Sequence, residues 1–329
     1  MGGREEGEEK KRPLIVIVGP TASGKSGLAI CLARFFDTEI ISADSMQVYR
    51  GMDIGTAKPS GEEMKAVPHH MISMIEPDTR FSVGDYVSRA RPVITGLHER
   101  GKIPIVAGGT GLYVRALVDG LCEAPKTDWV LRKRLLSEEA EHGQGHLYRR
   151  LCEVDSVSAG RTKPNDTVRI IRSLEVYESG GVPLSDIQEV HGFKERPYDP
   201  VMIGLTLERK NLYKKIEERV DRMMEAGLEA EVRGLMVLHG DSVLPMHGLG
   251  YKQLAGYIKG MYSLEDAIRL LKRDTRRYAK RQLTWFRRDD RIRWYTAKED
   301  FSHADEIARD INSMLPNNER SMADEQNDH

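Results

Sequence analysis

The chain has 329 residues, is 40% hydrophobic and carries a formal net charge of −1, which fits one large α/β domain with an insertion, or two domains. It contains no apolar run of about 18 residues, which argues against a transmembrane helix. Its three cysteines, Cys31, Cys122 and Cys152, form no paired motif and favour free thiols in a reducing compartment. We therefore expect a cytoplasmic protein that does not cross a membrane.

The predicted elements, taken in chain order, alternate between strands and helices. Polar, aperiodic ends at residues 1–12 and 315–329 predict disordered tails. Apolar runs at residues 14–18, 39–43, 103–107 and 201–207 predict buried parallel strands. Helical patterns separate several of these runs, so we predict an α/β fold with a doubly wound parallel sheet.

The middle of the chain departs from this alternation. Helical spacing at residues 130–140, 147–153 and 168–178 is accompanied by no convincing strand. We predict a helical insertion at residues 117–199, within a catalytic core formed by residues 13–116 and 200–314. Helices predicted at residues 212–226, 230–238 and 264–286 belong to the second part of that core.

A phosphate-binding motif directly follows the first predicted strand. It fits the pattern G-x-x-x-x-G-K-[ST] and consists of Gly19, Pro20, Thr21, Ala22, Ser23, Gly24, Lys25 and Ser26. In such a loop backbone N–H groups wrap an anion, the lysine reaches between phosphates, and the final hydroxyl can ligate Mg²⁺. The motif predicts a polyphosphate site and a P-loop NTPase-like core, and leaves open which polyphosphate is held.

Asp44 follows the second predicted strand. Because neighbouring parallel strands end at one edge of the sheet, its carboxylate is expected beside the phosphate loop, where it could accept a proton from a nucleophile. The same position suits an aspartate that caps the next turn. Sequence position alone leaves both interpretations open.

The third strand ends in glycines rather than in an acid. Nucleotide hydrolases of the phosphate-loop class carry an aspartate at a strand end to help hold Mg²⁺, whereas this strand continues into Gly108, Gly109, Thr110 and Gly111. Glycines let a backbone approach a ligand closely and Thr110 offers a hydroxyl; the alternative is a tight turn into the next helix. The guanine-reading element of GTPases is also missing.

Positive charge is concentrated late in the chain. Residues 259–293 contain twelve Lys or Arg against five Asp or Glu, and such a basic helix either grips RNA phosphates or is a solvated face. Arg209 and Arg219 are candidates for stabilising a departing diphosphate. Most arginines in such a helix are only solvated, so this pattern does not decide their role.

Eight segments carry a family resemblance. They are GPTASGKS at 19–26, DSMQVY at 44–49, GMDIGTAKP at 51–59, HH at 69–70, GGTGLY at 108–113, PNDTVRIIR at 164–172, GLGYKQ at 248–253 and TRRYAKRQLTW at 275–285. In this order they resemble the tRNA dimethylallyltransferase family, in its bacterial type without an appended zinc module. The resemblance implies that dimethylallyl diphosphate is the donor and that the acceptor is the N6 amine of the adenosine 3′ of the anticodon.

The resemblance also assigns roles within the predicted site. It places the proton or hydrogen-bond acceptor on Asp44 and brings Thr110 near the acceptor adenosine. Lys25, Arg219 and Mg²⁺ held by Ser26 would stabilise the diphosphate as it leaves. Ser26 stands where many members have threonine, and either hydroxyl can serve.

RNA contacts are expected around the same site and beyond it. An adenosine in an RNA loop must leave its stack to reach a buried donor, and RNA loops are held through phosphates and stacked bases. The expected tRNA-facing residues are Asp44, Ser45, Met46, Gln47, Thr110, Val168, Arg169, Ile170, Ile171, Arg172, Gly248, Leu249, Gly250, Tyr251, Lys252, Arg277, Lys280 and Arg281.

Other functions remain open at this stage. An adenylate isopentenyltransferase acting on free AMP, ADP or ATP shares the loop and the aspartate, but generally lacks the RNA-binding insertion. A small-molecule kinase and a nucleotide-dependent RNA-binding switch would also use the loop. The pair His69 and His70 is expected to serve positioning or packing rather than metal binding, since no further ligand lies at metal spacing. We expect a monomer.

Overall fold

The structure is a computed structural model that describes residues 11–192, 195–298 and 300–316. The chain forms two compact units, one made of the chain up to Val118 together with the chain from Pro197 onward, the other of Asp119–Arg196. Most of the two predicted tails, residues 1–10 and 317–329, lies outside the described residues. None of the described helices is long and apolar enough to cross a membrane.

The first unit contains a parallel sheet, which confirms the predicted fold class. Its described strands are β1 (Arg12–Val18), β2 (Ile40–Ser42), β3 (His69–His70), β4 (Ile105–Gly108), β5 (Tyr198–Thr206) and β6 (Arg293–Thr296). They lie in the order β3-β2-β4-β1-β5-β6. Ile15 of β1 is paired with Ile105 on one side and Val201 on the other, so β1 is central and its five residues from Leu14 to Val18 are fully buried.

Fourteen helices fall within the described residues. Up to the end of the second unit they are α1 (Lys25–Phe35), α2 (Gly61–Ala66), α3 (Val83–Glu99), α4 (Gly111–Val118), α5 (Trp129–His142), α6 (His146–Val154), α7 (Ser156–Arg161), α8 (Thr167–Gly180) and α9 (Leu184–His191). The remainder are α10 (Arg209–Glu225), α11 (Leu228–His239), α12 (Tyr251–Ile258), α13 (Leu264–Phe286) and α14 (Ala304–Met314), with a 3₁₀ turn at Leu244–His247.

Two strands of the sheet were not predicted. β3 has only two residues, and β6 reads as a short polar segment after the basic helix. Both are outer strands, whose short length and half-buried side chains give little apolar signal. Strand β1 also begins at Arg12, two residues before the predicted apolar run, because Arg12 and Pro13 pair with Tyr198 and Asp199 of β5.

Candidate functional site

The phosphate loop runs from β1 into α1 with three residues at positive φ, and at position 19 only glycine fits. Gly19, Ala22 and Gly24 have φ of 148°, 64° and 90°, and a Cβ on Gly19 would lie 2.5 Å from the backbone O of Leu205. Lys25 donates from Nζ to the O of Pro20 at 2.7 Å. The loop therefore has a fixed shape at the N-terminus of α1, where backbone N–H groups favour an anion.

Three charged groups influence one another at this loop. Burial, followed by the charge of Arg219, lowers the pKa of Lys25 to about 7, and the carboxylate of Asp44 acts in the opposite direction. Burial also lowers the pKa of Arg219, again opposed by Asp44. Two half-buried cations at one loop, with Arg219 disfavouring the charge of Lys25, form a site that an anion would stabilise.

A cavity of about 380 Å³ opens beside the loop and brings most of the predicted site residues together. The predicted residues that line it are Thr21, Lys25, Ser26, Asp44, Ser45, Met46, Gln47, Arg219, Gly248, Leu249, Gly250, Tyr251, Lys252 and Arg281. The cavity lies at the carboxyl ends of the central strands, where open parallel sheets bind ligands. Of the two candidate arginines, Arg219 is at the cavity, whereas Arg209 is exposed and donates to the hydroxyl of Tyr213 at 3.2 Å.

Asp44 makes the contacts of a turn cap and lies at the cavity, where its predicted role as a proton acceptor stays a prediction. Its Oδ1 accepts hydrogen bonds from the backbone N of Met46 at 2.8 Å and of Gln47 at 3.3 Å, which is the capping role. Asp44 also lines the cavity. Among the described residues, neither of these two hydrogen bonds uses the second carboxylate oxygen, Oδ2. One carboxylate oxygen therefore holds the turn, and the other is available to a ligand.

Thr110 is linked to the turn that holds Asp44. Its Oγ1 accepts a hydrogen bond from the backbone N of Ser45 at 3.1 Å. Its own backbone N donates to the O of Ala43 at 3.1 Å. Thr110 thus supports the segment that carries the carboxylate, although its side chain is not among the groups that line the cavity.

Packing, rather than the expected approach of a ligand, is the main reason why glycine is required before and after Thr110. A Cβ on Gly108 would collide with the backbone of Ala43, one on Gly109 with the amide of Gln282, and one on Gly111 with the ring of Trp285. Close packing between β2, β4 and α13 therefore requires them. The expected ligand approach stays a prediction for Gly108 and Gly109, which line the cavity.

The segment at residues 248–252 is mostly held by other protein groups. Tyr251 is fully buried and its hydroxyl donates to Oε1 of Glu231 at 2.7 Å. The carboxylate of Glu231 also accepts from the backbone N of Asp53, Ile54 and Gly55 at 2.7–3.0 Å. Glu231, which the sequence analysis missed, thus fixes a loop whose next residue, Thr56, lines the cavity.

Gln47 is less free to read a base than its position suggested. Its Oε1 accepts from the hydroxyl of Ser42 at 2.9 Å, and its Nε2 donates to the backbone O of Thr56 and Ala57, both at 3.3 Å. These bonds join the end of β2 to the neighbouring loop. The side chain of Gln47 therefore shapes the cavity wall.

The second unit corrects part of the predicted RNA contact. Ile170 and Ile171 are 2% and 5% exposed and pack in its hydrophobic core with Leu135 and Leu174. Arg172 pairs with the buried Glu175 at 2.6 Å and donates to the O of Pro125. These three side chains stabilise the unit itself, which leaves Val168 and Arg169 as the exposed members of the predicted segment.

Helix α13 has two distinct faces. Leu271, Thr275, Tyr278 and Gln282 follow helical spacing and line the cavity. Arg277, Lys280 and Arg281 are exposed; Arg277 lies 3.6 Å from Asp274, and the guanidinium of Arg281 lies 5.6 Å from the ring of Tyr278. The helix thus closes the site with one face and presents cations with another.

Gln282 is a cavity residue that the sequence analysis did not assign, and Tyr278, one turn before it, lines the same cavity. Gln282 bonds to the backbone of the phosphate loop and of the turn after β4. Burial, then the charge of Asp44, raises the pKa of Tyr278 to about 12. Their four-residue spacing on a predicted helix was the available signal, but nothing in the sequence placed that face against the loop.

The two histidines lie in the sheet, at a strand that was not predicted. They form β3, and Nε2 of His70 lies 2.6 Å from Oε2 of Glu39. Nδ1 of His69 lies 2.7 Å from the O of Val67. No group of three or more His, Cys, Asp or Glu side chains suited to a metal ion occurs among the described residues.

The fold and the site define an α/β protein with a phosphate loop, and comparison with known sequences supplies its family. The sequence model described as IPP transferase matches residues 47–289, and the one described as Isopentenyl transferase matches residues 13–74. The chain belongs to the IPP transferase family, a family of prenyltransferases.

Similar proteins agree with this assignment over almost the whole chain. A protein of Symbiobacterium thermophilum named tRNA dimethylallyltransferase is 50% identical over 94% of this chain and 98% of its own length. The full-length tRNA isopentenylpyrophosphate transferase of Bacillus halodurans has a TM-score of 0.69 at 40% identity, covering 92% and 96% of the two chains. A eukaryotic dimethylallyltransferase acting on tRNA has a TM-score of 0.79 at 28% identity, covering 93% and 80%.

Proposed function

We propose that this chain transfers the dimethylallyl group from dimethylallyl diphosphate to the N6 amine of the adenosine 3′ of the anticodon in tRNA, with release of diphosphate. The observation that carries the proposal is that Lys25, Arg219 and Asp44 line one cavity. Groups suited to a leaving diphosphate therefore face the same space as a proton acceptor. The names of the similar proteins support this choice of substrates.

The donor binds by its diphosphate. The backbone N–H groups of the loop and the N-terminus of α1 hold the phosphate oxygens, while Lys25 and Arg219 add positive charge. As the allylic C–O bond breaks, its electron pair stays on the diphosphate oxygen and positive charge spreads over the prenyl group. Cations already in place stabilise the leaving group without reorganising.

The acceptor amine reacts on the Asp44 side of the cavity. The exocyclic amine of adenine is a weak nucleophile, so the new C–N bond forms more readily when its proton has an acceptor. The oxygen Oδ2 of Asp44 fills that role. The two backbone hydrogen bonds to Oδ1 keep the carboxylate oriented during the transfer.

The chain fits a magnesium ion at Ser26. This residue is exposed at the cavity, and no cluster of three acidic or histidine ligands exists among the described residues. A metal here would take phosphate oxygens and water as further ligands, since Mg²⁺ usually keeps several waters and binds substrate phosphates. When bound, Mg²⁺ neutralises negative charge on the diphosphate.

The tRNA anticodon stem-loop is held by exposed cations, of which Arg281 lines the cavity and the others lie outside it. Arg277, Lys280 and Arg281 on α13 contact phosphates in this proposal, and in the second unit Val168 and Arg169 remain available to RNA. The acceptor base leaves its stack to enter the cavity. A monomeric state and a cytoplasmic location accompany the proposal as predictions.

The test measures acceptor choice directly. Purified protein is incubated with labelled dimethylallyl diphosphate and Mg²⁺, and with one of four acceptors: unmodified tRNA with adenosine at the acceptor position, the same tRNA with guanosine there, AMP or ATP. We expect label to enter only the first tRNA. Transfer to AMP or ATP without transfer to tRNA would favour an adenylate isopentenyltransferase, and ATP hydrolysis without transfer would favour a kinase or a nucleotide-dependent switch.

A further inference from the structure

Gln282 makes two hydrogen bonds that join separate parts of the site. Its side chain on α13 is 6% exposed. Oε1 accepts from the backbone N of Thr21 at 2.8 Å, and Nε2 donates to the backbone O of Gly109 at 2.9 Å. Because one partner can only donate and the other can only accept, a single orientation of the amide satisfies both.

The two partners of Gln282 belong to opposite sides of the proposed reaction. Thr21 is part of the phosphate loop and lines the cavity. Gly109 directly precedes Thr110, whose Oγ1 accepts from the backbone N of Ser45, the residue after Asp44. One side-chain amide therefore connects the diphosphate side with the segment that carries the proton acceptor.

We propose that Gln282 is a positioning residue that fixes the phosphate loop relative to the turn at residues 109–110. It acts through Thr21 and Gly109 and does not itself touch the reacting atoms. The proposal rests on the proposed function, since it concerns the geometry between donor and acceptor. In such reactions a displacement of about 1 Å at the reacting groups can reduce the rate on the order of 10²-fold.

The packing around the amide supports a fixed arrangement. A Cβ on Gly109 would collide with Nε2 of Gln282, so this position leaves room for no side chain. Thr275 and Tyr278 precede Gln282 on the same face of α13 and line the cavity with it. The amide is thus supported by a helix face and packs directly against the backbone of Gly109.

The direct test replaces the amide while keeping the size of the side chain. Gln282→Met removes both hydrogen bonds, and the freed backbone groups beside the cavity can be hydrated. We expect the KM for dimethylallyl diphosphate to rise about tenfold and kcat to fall about tenfold. The KM for tRNA is expected to stay within about twofold, with a melting temperature close to that of the unmodified protein.

Gly109→Ala reaches the same contact from the other side. Its methyl group displaces the amide of Gln282, so its effects on donor KM and kcat should resemble those of Gln282→Met. Donor KM and kcat of the double variant should be close to those of either single variant, because both substitutions disrupt the same contact between Gln282 and Gly109. The control is Gln188→Met, the same replacement on α9 of the second unit, outside the residues that line the cavity; its donor KM should not change.

The outcomes separate this proposal from the proposed function. Unchanged donor KM and kcat in Gln282→Met overturn it, as does a general loss of activity that follows a lower melting temperature. If Gln282→Met does not fold, Gly109→Ala decides. If the unmodified protein transfers nothing to tRNA, the proposed function fails. Calorimetry with inorganic diphosphate and Mg²⁺ then still tests the role of Gln282. Diphosphate binding about tenfold weaker in Gln282→Met than in the unmodified protein supports the proposal, and equal binding overturns it.

Discussion

At the scale of single residues, the proposed reaction gives the two carboxylate oxygens of Asp44 different tasks. Oδ1 of Asp44 is held by the backbone of Met46 and Gln47, while Oδ2 is available at the cavity. An aspartate can therefore cap a turn and act in chemistry at once. Asp44→Asn separates these tasks, because its amide oxygen still accepts from the backbone but can no longer take up a proton at neutral pH.

We predict that Asp44→Asn reduces kcat on the order of 10²-fold, with tRNA affinity within about twofold of the unmodified protein. Single-turnover transfer and a binding titration with tRNA measure the two quantities. Asp78→Asn, at an exposed aspartate outside the cavity, is the matched control and should transfer normally. Equal kcat in both variants would remove Asp44 from the reaction.

Lys25 provides a pH-dependent prediction. Because burial and Arg219 lower its pKa to about 7, the ligand-free protein carries this charge below pH 7 and loses it as the pH rises. Its affinity for inorganic diphosphate should therefore fall between about pH 6 and 8.5, by at most about tenfold per pH unit above the pKa. Calorimetry in two buffers should show proton uptake on binding at about pH 8.

The control for this titration is Lys25→Arg. A guanidinium stays charged over the whole range, so the remaining pH dependence belongs to diphosphate itself and to other groups. The difference between the two profiles isolates Lys25. Identical profiles, with equal proton uptake, would contradict a lysine that loses its charge near neutral pH.

At the scale of elements, the sequence predicted what its local pattern determines. The phosphate loop is a contiguous motif, and the predicted helix at residues 264–286 matches α13, since its spacing and the cap at Ser263 are local features. Gln282, by contrast, is 261 positions from Thr21. The contact of Glu231 with the loop at residues 53–55 also joins distant parts of the sequence, so local patterns could not predict it.

Helix α13 carries the next prediction. Arg277→Ala combined with Lys280→Ala should weaken tRNA binding and reduce its salt dependence, because each phosphate contact contributes about 0.7–0.9 to the slope of log K against log salt. Titrations at several salt concentrations measure this slope. Donor KM should be unaffected, since neither side chain lines the cavity.

Arg269→Ala is the control on the same helix. Arg269 is 70% exposed and pairs with Asp266 at 2.7 Å, one turn along the helix. Its loss should leave the salt slope unchanged. If the double variant also keeps the original slope, the cations of α13 are a solvated face and RNA is held elsewhere.

At the scale of the whole molecule, the family and the fold class were readable from the sequence, and the roles of individual residues only in part. The ordered series of segments identified the family, which the matches over most of the chain confirm. Which side chains of those segments are buried could not be predicted from the sequence. Ile170, Ile171 and Tyr251 lie in them, yet all three are buried, so a motif marks structural requirements as well as contacts with a substrate.

In the proposed reaction, one cavity joins a prenyl donor to a tRNA adenosine. Its most direct measurement is the product itself: unmodified tRNA is treated with dimethylallyl diphosphate and Mg²⁺ and digested to nucleosides, and the modified nucleoside and released diphosphate are both quantified. We predict N6-dimethylallyladenosine from the position 3′ of the anticodon, with one diphosphate released for each. Diphosphate release without modified adenosine, or a prenyl group at another atom or nucleoside, would contradict the account.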